Sequence, residues 1–113
     1  MSVTLCIRPG DGGTIMAISG EVDICTEAQL QQSLLRIIRE RPARLMLDVS
    51  GVSFMDCAGL RALLVTRRRA EMRGVFLRLI AASAAVRRII ELTGAQEALA
   101  MERSTTDRSV PFF

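Results

Sequence analysis

The pattern of apolar residues predicts an α/β fold. It is a mixed β-sheet of four to five strands with helices packed mainly on one face, in the order ββαβαβα with a candidate final strand. Three observations carry this. Two short strand-like runs flank a glycine-rich turn near the start. After them, strand-like runs alternate with stretches whose apolar residues recur at helical spacing. The helical stretches open on capping residues and close on proline or glycine.

The elements run in order. Residues 3–8 (Val-Thr-Leu-Cys-Ile-Arg) alternate loosely as a strand, and Pro9, Gly10, Gly12 and Gly13 around Asp11 mark a turn. Residues 14–19 are the second strand, so the pair reads as a hairpin, and the segment Gly20-Glu21-Val22-Asp23-Ile24-Cys25 is expected to lead out of the sheet. Thr26 followed by Gln29 predicts a capping box, and Leu30, Leu34, Ile37 and Ile38 form one stripe of the helix it opens. Pro42 ends that helix. Residues 44–49 (Arg-Leu-Met-Leu-Asp-Val) are too apolar for a half-exposed strand and read as a central one, followed by a loop from Ser50 to Met55. Asp56 is the expected N-cap of a second helix that runs to about Met72 and closes at Gly74. Residues 75–80 are the fourth strand, and Ser83 caps a third helix with Val86, Ile89 and Ile90 inward and Gly94 at its end. Residues 99–101 are the candidate last strand, residues 104–109 a polar frayed stretch, and residues 110–113 an apolar tail. Strands joined through helices imply parallel pairing with right-handed crossovers.

Composition narrows the function. The chain has 113 residues, half of them apolar, which suits one domain with a real core. It has no His, so Ser-His-Asp and Cys-His catalysis are excluded within the chain, and an enzyme is not expected. All 15 basic residues are Arg, yet the net charge is only +3 and aromatic residues are 4% of the chain. Direct nucleic-acid binding is therefore not expected. Cys6, Cys25 and Cys57 show no disulfide or metal-ligand spacing. Residues 1–6 lack the pattern of a signal peptide and no window is long enough to span a membrane. A cytoplasmic protein that uses no cofactor, no metal and no membrane contact is the expectation.

The second helix is the informative element. Leu60, Leu63 and Leu64 make one apolar stripe, and Ala58, Ala62, Val65 and Met72 make another. A surface helix needs one stripe to bury against a sheet, so the second is either covered by the fold or open to a partner. The unpaired N–H groups of the first turn would also stabilise an anion such as a phosphoryl group. The residue after the Asp56 cap is therefore a natural place for a phosphorylation switch, and here it is Cys57.

Gly20-Glu21-Val22-Asp23, the strand Leu45-Met46-Leu47-Asp48, and Ser53-Phe54-Met55-Asp56-Cys57-Ala58-Gly59-Leu60 together closely resemble the STAS domain family. The nearest likeness is to its bacterial anti-sigma factor antagonists, or anti-anti-sigma factors. The resemblance covers nearly the whole chain and implies a STAS domain over residues 1–102 with a frayed tail at 103–113. It implies a STAS-like sheet and a protein that binds an anti-sigma factor, itself a serine-protein kinase of ATPase fold, and so frees a sigma factor for transcription. It further implies that the kinase phosphorylates a Ser or Thr after the motif aspartate and thereby dissociates the pair. The residues that match the binding surface are Asp23, Ile24, Cys25, Asp56, Cys57, Ala58, Gly59, Leu60 and Arg61. Cys57 stands at the phosphoacceptor position and offers a kinase no hydroxyl, so switching by serine phosphorylation is not expected. Cys57 is then either a neutral replacement or, with Cys25 on the same rim of the family fold, a redox input. STAS domains also serve as scaffolds or soluble subunits of sensory and transport complexes, which is the alternative reading. Arg67, Arg68, Arg69 and Arg73 make either a solvated face or a contact for an acidic patch of a protein partner.

Overall fold

A computed structural model describes residues 2–10 and 12–95 of the chain. The elements are β1 (Val3–Gly10), β2 (Gly13–Val22), α1 (Glu27–Arg39), β3 (Arg44–Met55), α2 (Cys57–Met72), β4 (Phe76–Ala82) and α3 (Ala84–Thr93). They form one four-stranded sheet of order β1-β2-β3-β4. The β1–β2 hairpin is antiparallel, and β2–β3 and β3–β4 are parallel. This is the predicted ββαβαβα order. The expected strand at 99–101 and the tail lie outside the described residues.

One face of the sheet carries Met16 and Ile18 of β2, Leu45, Leu47 and Val49 of β3, and Leu77 and Leu79 of β4. Leu30, Leu34, Ile37 and Ile38 of α1, Leu60, Ala62 and Leu63 of α2, and Val86 and Ile90 of α3 join them in a single buried cluster. All three helices therefore feed one core on one face. Leu34 and Leu63 are fully enclosed, and burial of a leucine contributes about 1.5–3 kcal/mol. Of the two apolar stripes of α2, the fold covers Ala58, Leu60, Ala62 and Leu63 and half-covers Leu64 and Val65, while Met72 stays 76% exposed.

Two strand expectations need correction. The stretch Gly20-Glu21-Val22 does not lead out of the sheet but is the end of β2. The segment from Ser50 to Met55 is not a loop but the second half of β3. The pairing of β2 with β3 slips twice, between Ala17 and Ser19 and between Gly20 and Glu21. At each slip β3 holds one more residue than its partner, which is a β-bulge. The bulges explain why Val49, Val52 and Met55 are all buried although they lie three residues apart. Strict alternation is the usual mark of a half-buried strand, and the bulges break it here.

The helix ends are as predicted at three places. The side chain of Asp56 accepts a hydrogen bond from Gly59 N at the start of α2, and Ser83 Oγ accepts from Val86 N at the start of α3. Gly94 closes α3 in the left-handed conformation, φ 74°. The capping box at the start of α1 does not form: the Thr26 side chain makes no cap hydrogen bond. It turns back to the sheet instead, donating to the Glu21 carbonyl at 2.7 Å.

Candidate functional site

The candidate site lies on the rim where β2 and β3 end and α1 and α2 begin. On the β2 side the chain turns sharply after Val22. Asp23 is buried, and its Oδ1 accepts from Cys25 N at 2.9 Å and from Thr26 N at 3.2 Å. Asp23 N in turn donates to Thr26 Oγ1 at 3.0 Å. The short side chain of an aspartate satisfies backbone donors two and three residues on, which is why this residue type suits a tight turn. The closed turn pushes Ile24 outward, 73% exposed, with Cys25 exposed beside it.

On the β3 side the start of α2 is held to the same place. Asp56 N donates to the Val22 carbonyl at 3.3 Å, and Asp56 Oδ1 accepts from Gly59 N at 3.0 Å. Gly59 is enclosed between the end of β2 and Met55. A Cβ there would stand 2.6 Å from Val22 O and 2.7 Å from Val22 Cγ1. No side chain larger than hydrogen allows the helix to approach so closely. The first turn therefore sits against the end of β2 and presents Cys57 to solvent. Arg61, one turn further, pairs across the two helices with Glu27 of α1 at 3.7 Å.

The nine residues matched from sequence thus collect on one rim in two roles. Ile24, Cys25, Cys57 and Arg61 present side chains to solvent. Asp23, Ala58 and Leu60 are less than a tenth exposed, and Gly59 is enclosed with them, so they build the rim from beneath. Asp56 is half-buried and caps. Cys6 is exposed on β1, away from this rim, at the antiparallel edge opposite Ala17. Sequence reasoning misses three rim residues. Glu27 reaches Arg61 across a separation no local pattern reveals. Thr26 reads as a cap it does not make. Phe54, expected in a loop, is an exposed aromatic on β3 beside the start of α2. The matched motif contains it, but a loop there assigns it no face.

The rim combines an exposed aliphatic side chain, two thiols and a helix start. Among the described residues no group of three His, Cys, Asp or Glu is placed to hold a metal ion, and no helix is long and apolar enough to cross a membrane.

Fold and rim define the class of small mixed-sheet domains that present a helix N-terminus at the carboxyl ends of two parallel strands. The family model of the STAS domain matches residues 4–109. The chain is 29% identical over 93 residues to the anti-sigma-F factor antagonist RsfB of Mycobacterium tuberculosis, covering 82% of this chain and 75% of that one. It is 29% identical over 101 residues to RsfA of the same organism, also an anti-sigma-F factor antagonist, covering 88% and 79%. A crystal structure of an anti-sigma factor antagonist from Mycobacterium paratuberculosis superposes with a TM-score of 0.78 at 30% identity, covering 87% of this chain and 83% of that one. The chain belongs to the STAS domain family, in the company of proteins named anti-sigma factor antagonists.

Proposed function

We propose that this protein is an anti-sigma factor antagonist that docks an anti-sigma factor on the rim of Ile24, Cys25, Cys57 and Arg61, and so releases a sigma factor. One observation carries the reading. The residue after the Asp56 cap is exposed at a helix start, beside a closed acidic turn that projects Ile24. An exposed aliphatic anchor next to a rigid helix start suits a protein contact. The partner expected from the family is a serine kinase of ATPase fold. Such a kinase would find Cys57 where it needs a hydroxyl, so binding here depends on concentration and not on phosphorylation at this position.

The test is incubation with the cognate kinase and ATP, read by intact mass. The wild type is expected to gain no phosphate at the rim, and Cys57→Ser to gain one. Stoichiometric phosphate on Cys57-containing protein overturns the loss of the switch. Cys57→Glu places a carboxylate in the contact and is expected to weaken capture of the anti-sigma factor by about tenfold or more. Equal capture by wild type and Cys57→Glu overturns the rim as the contact.

The exposure of both Cys25 and Cys57 supports a second reading, in which thiol oxidation regulates the same contact. Oxidised glutathione would take the two electrons, leaving a Cys25–Cys57 disulfide and two glutathione thiols. Partner binding that is unchanged after this treatment rules it out.

A further inference from the structure

The C-terminal halves of α1 and α2 enclose a second feature, at the far end of the helices from the rim. Thirteen residues of α1 place it roughly 18 Å away. It is a concavity of about 260 Å³ lined by Leu35, Ile38, Arg39, Arg69 and Arg73. Leu35 and Arg39 are one turn apart on α1, and Arg69 and Arg73 are one turn apart at the end of α2. The lining holds three guanidinium groups and no carboxylate. Arg39, Arg69 and Arg73 make no ion pair among the described residues.

Cations at helix C-termini complement the helix dipole, and this accounts for Arg39 and Arg69 singly. It does not account for three arginines lining one concavity, where like charges repel. Arg36, Arg41 and Arg68 lie near the same helix ends; Glu40 and Glu71 lie there too, Glu71 paired with Arg67, so the field stays positive. One apolar side chain is accessible in the concavity: Leu35 is half-buried, and Ile38 is closed off beneath it.

We propose that this pocket docks an acidic amphipathic segment of a partner protein. An aliphatic side chain of the segment seats on Leu35, and flanking carboxylates meet Arg39, Arg69 and Arg73 in the forked geometry guanidinium groups favour. A simple phosphate would use the guanidinium groups and leave Leu35 without a contact, which is why the carboxylate-bearing segment is favoured. This site is separate from the rim and does not depend on what the rim binds.

The experiment is fluorescence anisotropy of the full chain with a short fluorescein-labelled peptide that alternates Glu and Leu. Saturable binding is expected, weakening with added salt. Arg39→Glu and Arg69→Glu are each expected to lose about tenfold or more in affinity. Arg69→Gln, which only removes a charge, is expected to lose less, and it serves if a reversal disturbs folding as judged by thermal melting. Arg88→Glu on α3 is expected to leave affinity unchanged. Three results overturn the proposal: equal binding by a peptide with Ser in place of Leu, displacement by inorganic pyrophosphate at lower concentration than the peptide itself requires, and an equal loss with Arg88→Glu.

Discussion

The two ends of the α1–α2 pair are built on different principles. At the rim, position is over-determined. Asp56 caps α2, its backbone holds the end of β2, and Gly59 is admitted only because it lacks a side chain. At the basic end little is fixed by close contact. Gly74, which closes α2 with φ 76°, has no atom within 4 Å of where a Cβ would stand. Arg41 closes α1 with a positive φ of 54° without glycine's help. One end is closely fitted and carries more carboxylates than arginines, and the other is open and basic. A rigid rim favours one contact geometry, whereas open arginines suit a partner that adapts to them.

The two glycines offer the sharpest way to break this contrast. Gly59→Ala forces a methyl against Val22 O and is expected to cost about 2–3 kcal/mol in urea unfolding, and to weaken rim binding as α2 shifts. Gly74→Ala meets open space, so only the left-handed backbone opposes it. It is expected to cost about 1 kcal/mol and to leave rim binding unchanged. Equal costs would mean the rim is no more constrained than the basic end. Arg61→Ala has the smallest expected effect on stability. Its pair with Glu27 is 3.7 Å long and Arg61 is 64% exposed, so the loss stays below about 0.5 kcal/mol. A fall in rim binding at unchanged stability would assign Arg61 to the contact and not to the fold.

The helices are plain in the sequence because each writes its stripe locally. Leu30, Leu34, Ile37 and Ile38 declare α1, and all four are buried. Asp56 and Ser83 announce helix starts by residue type, and both caps are made. The second half of β3 is hidden because its bulges spread Val49, Val52 and Met55 to a spacing of three, which no strand template contains. The rim residues are legible through motifs, but their division into exposed and supporting ones is not. That division depends on the Asp23–Thr26 turn, where Thr26 could as well have capped α1. Sequence alone does not tell which of two short hydrogen bonds a threonine will choose. The arginines at 67–69 and 73 are visible as a cluster, but the meeting of Arg69 and Arg73 with Arg39 needs the fold.

The bulged strand governs how this chain tolerates changes in length. Since β3 carries its extra residues between Leu47 and Asp56, the count of residues there, as well as their identity, sets where α2 begins. Removing one residue from a paired part of that stretch, with both bulges kept, would exchange the inward and outward faces of the remainder of the strand. Phe54 would turn toward the core and Met55 toward solvent, and the cap would lose its place beside Val22. Substitutions along this segment act on single side chains. A deletion would move the whole rim.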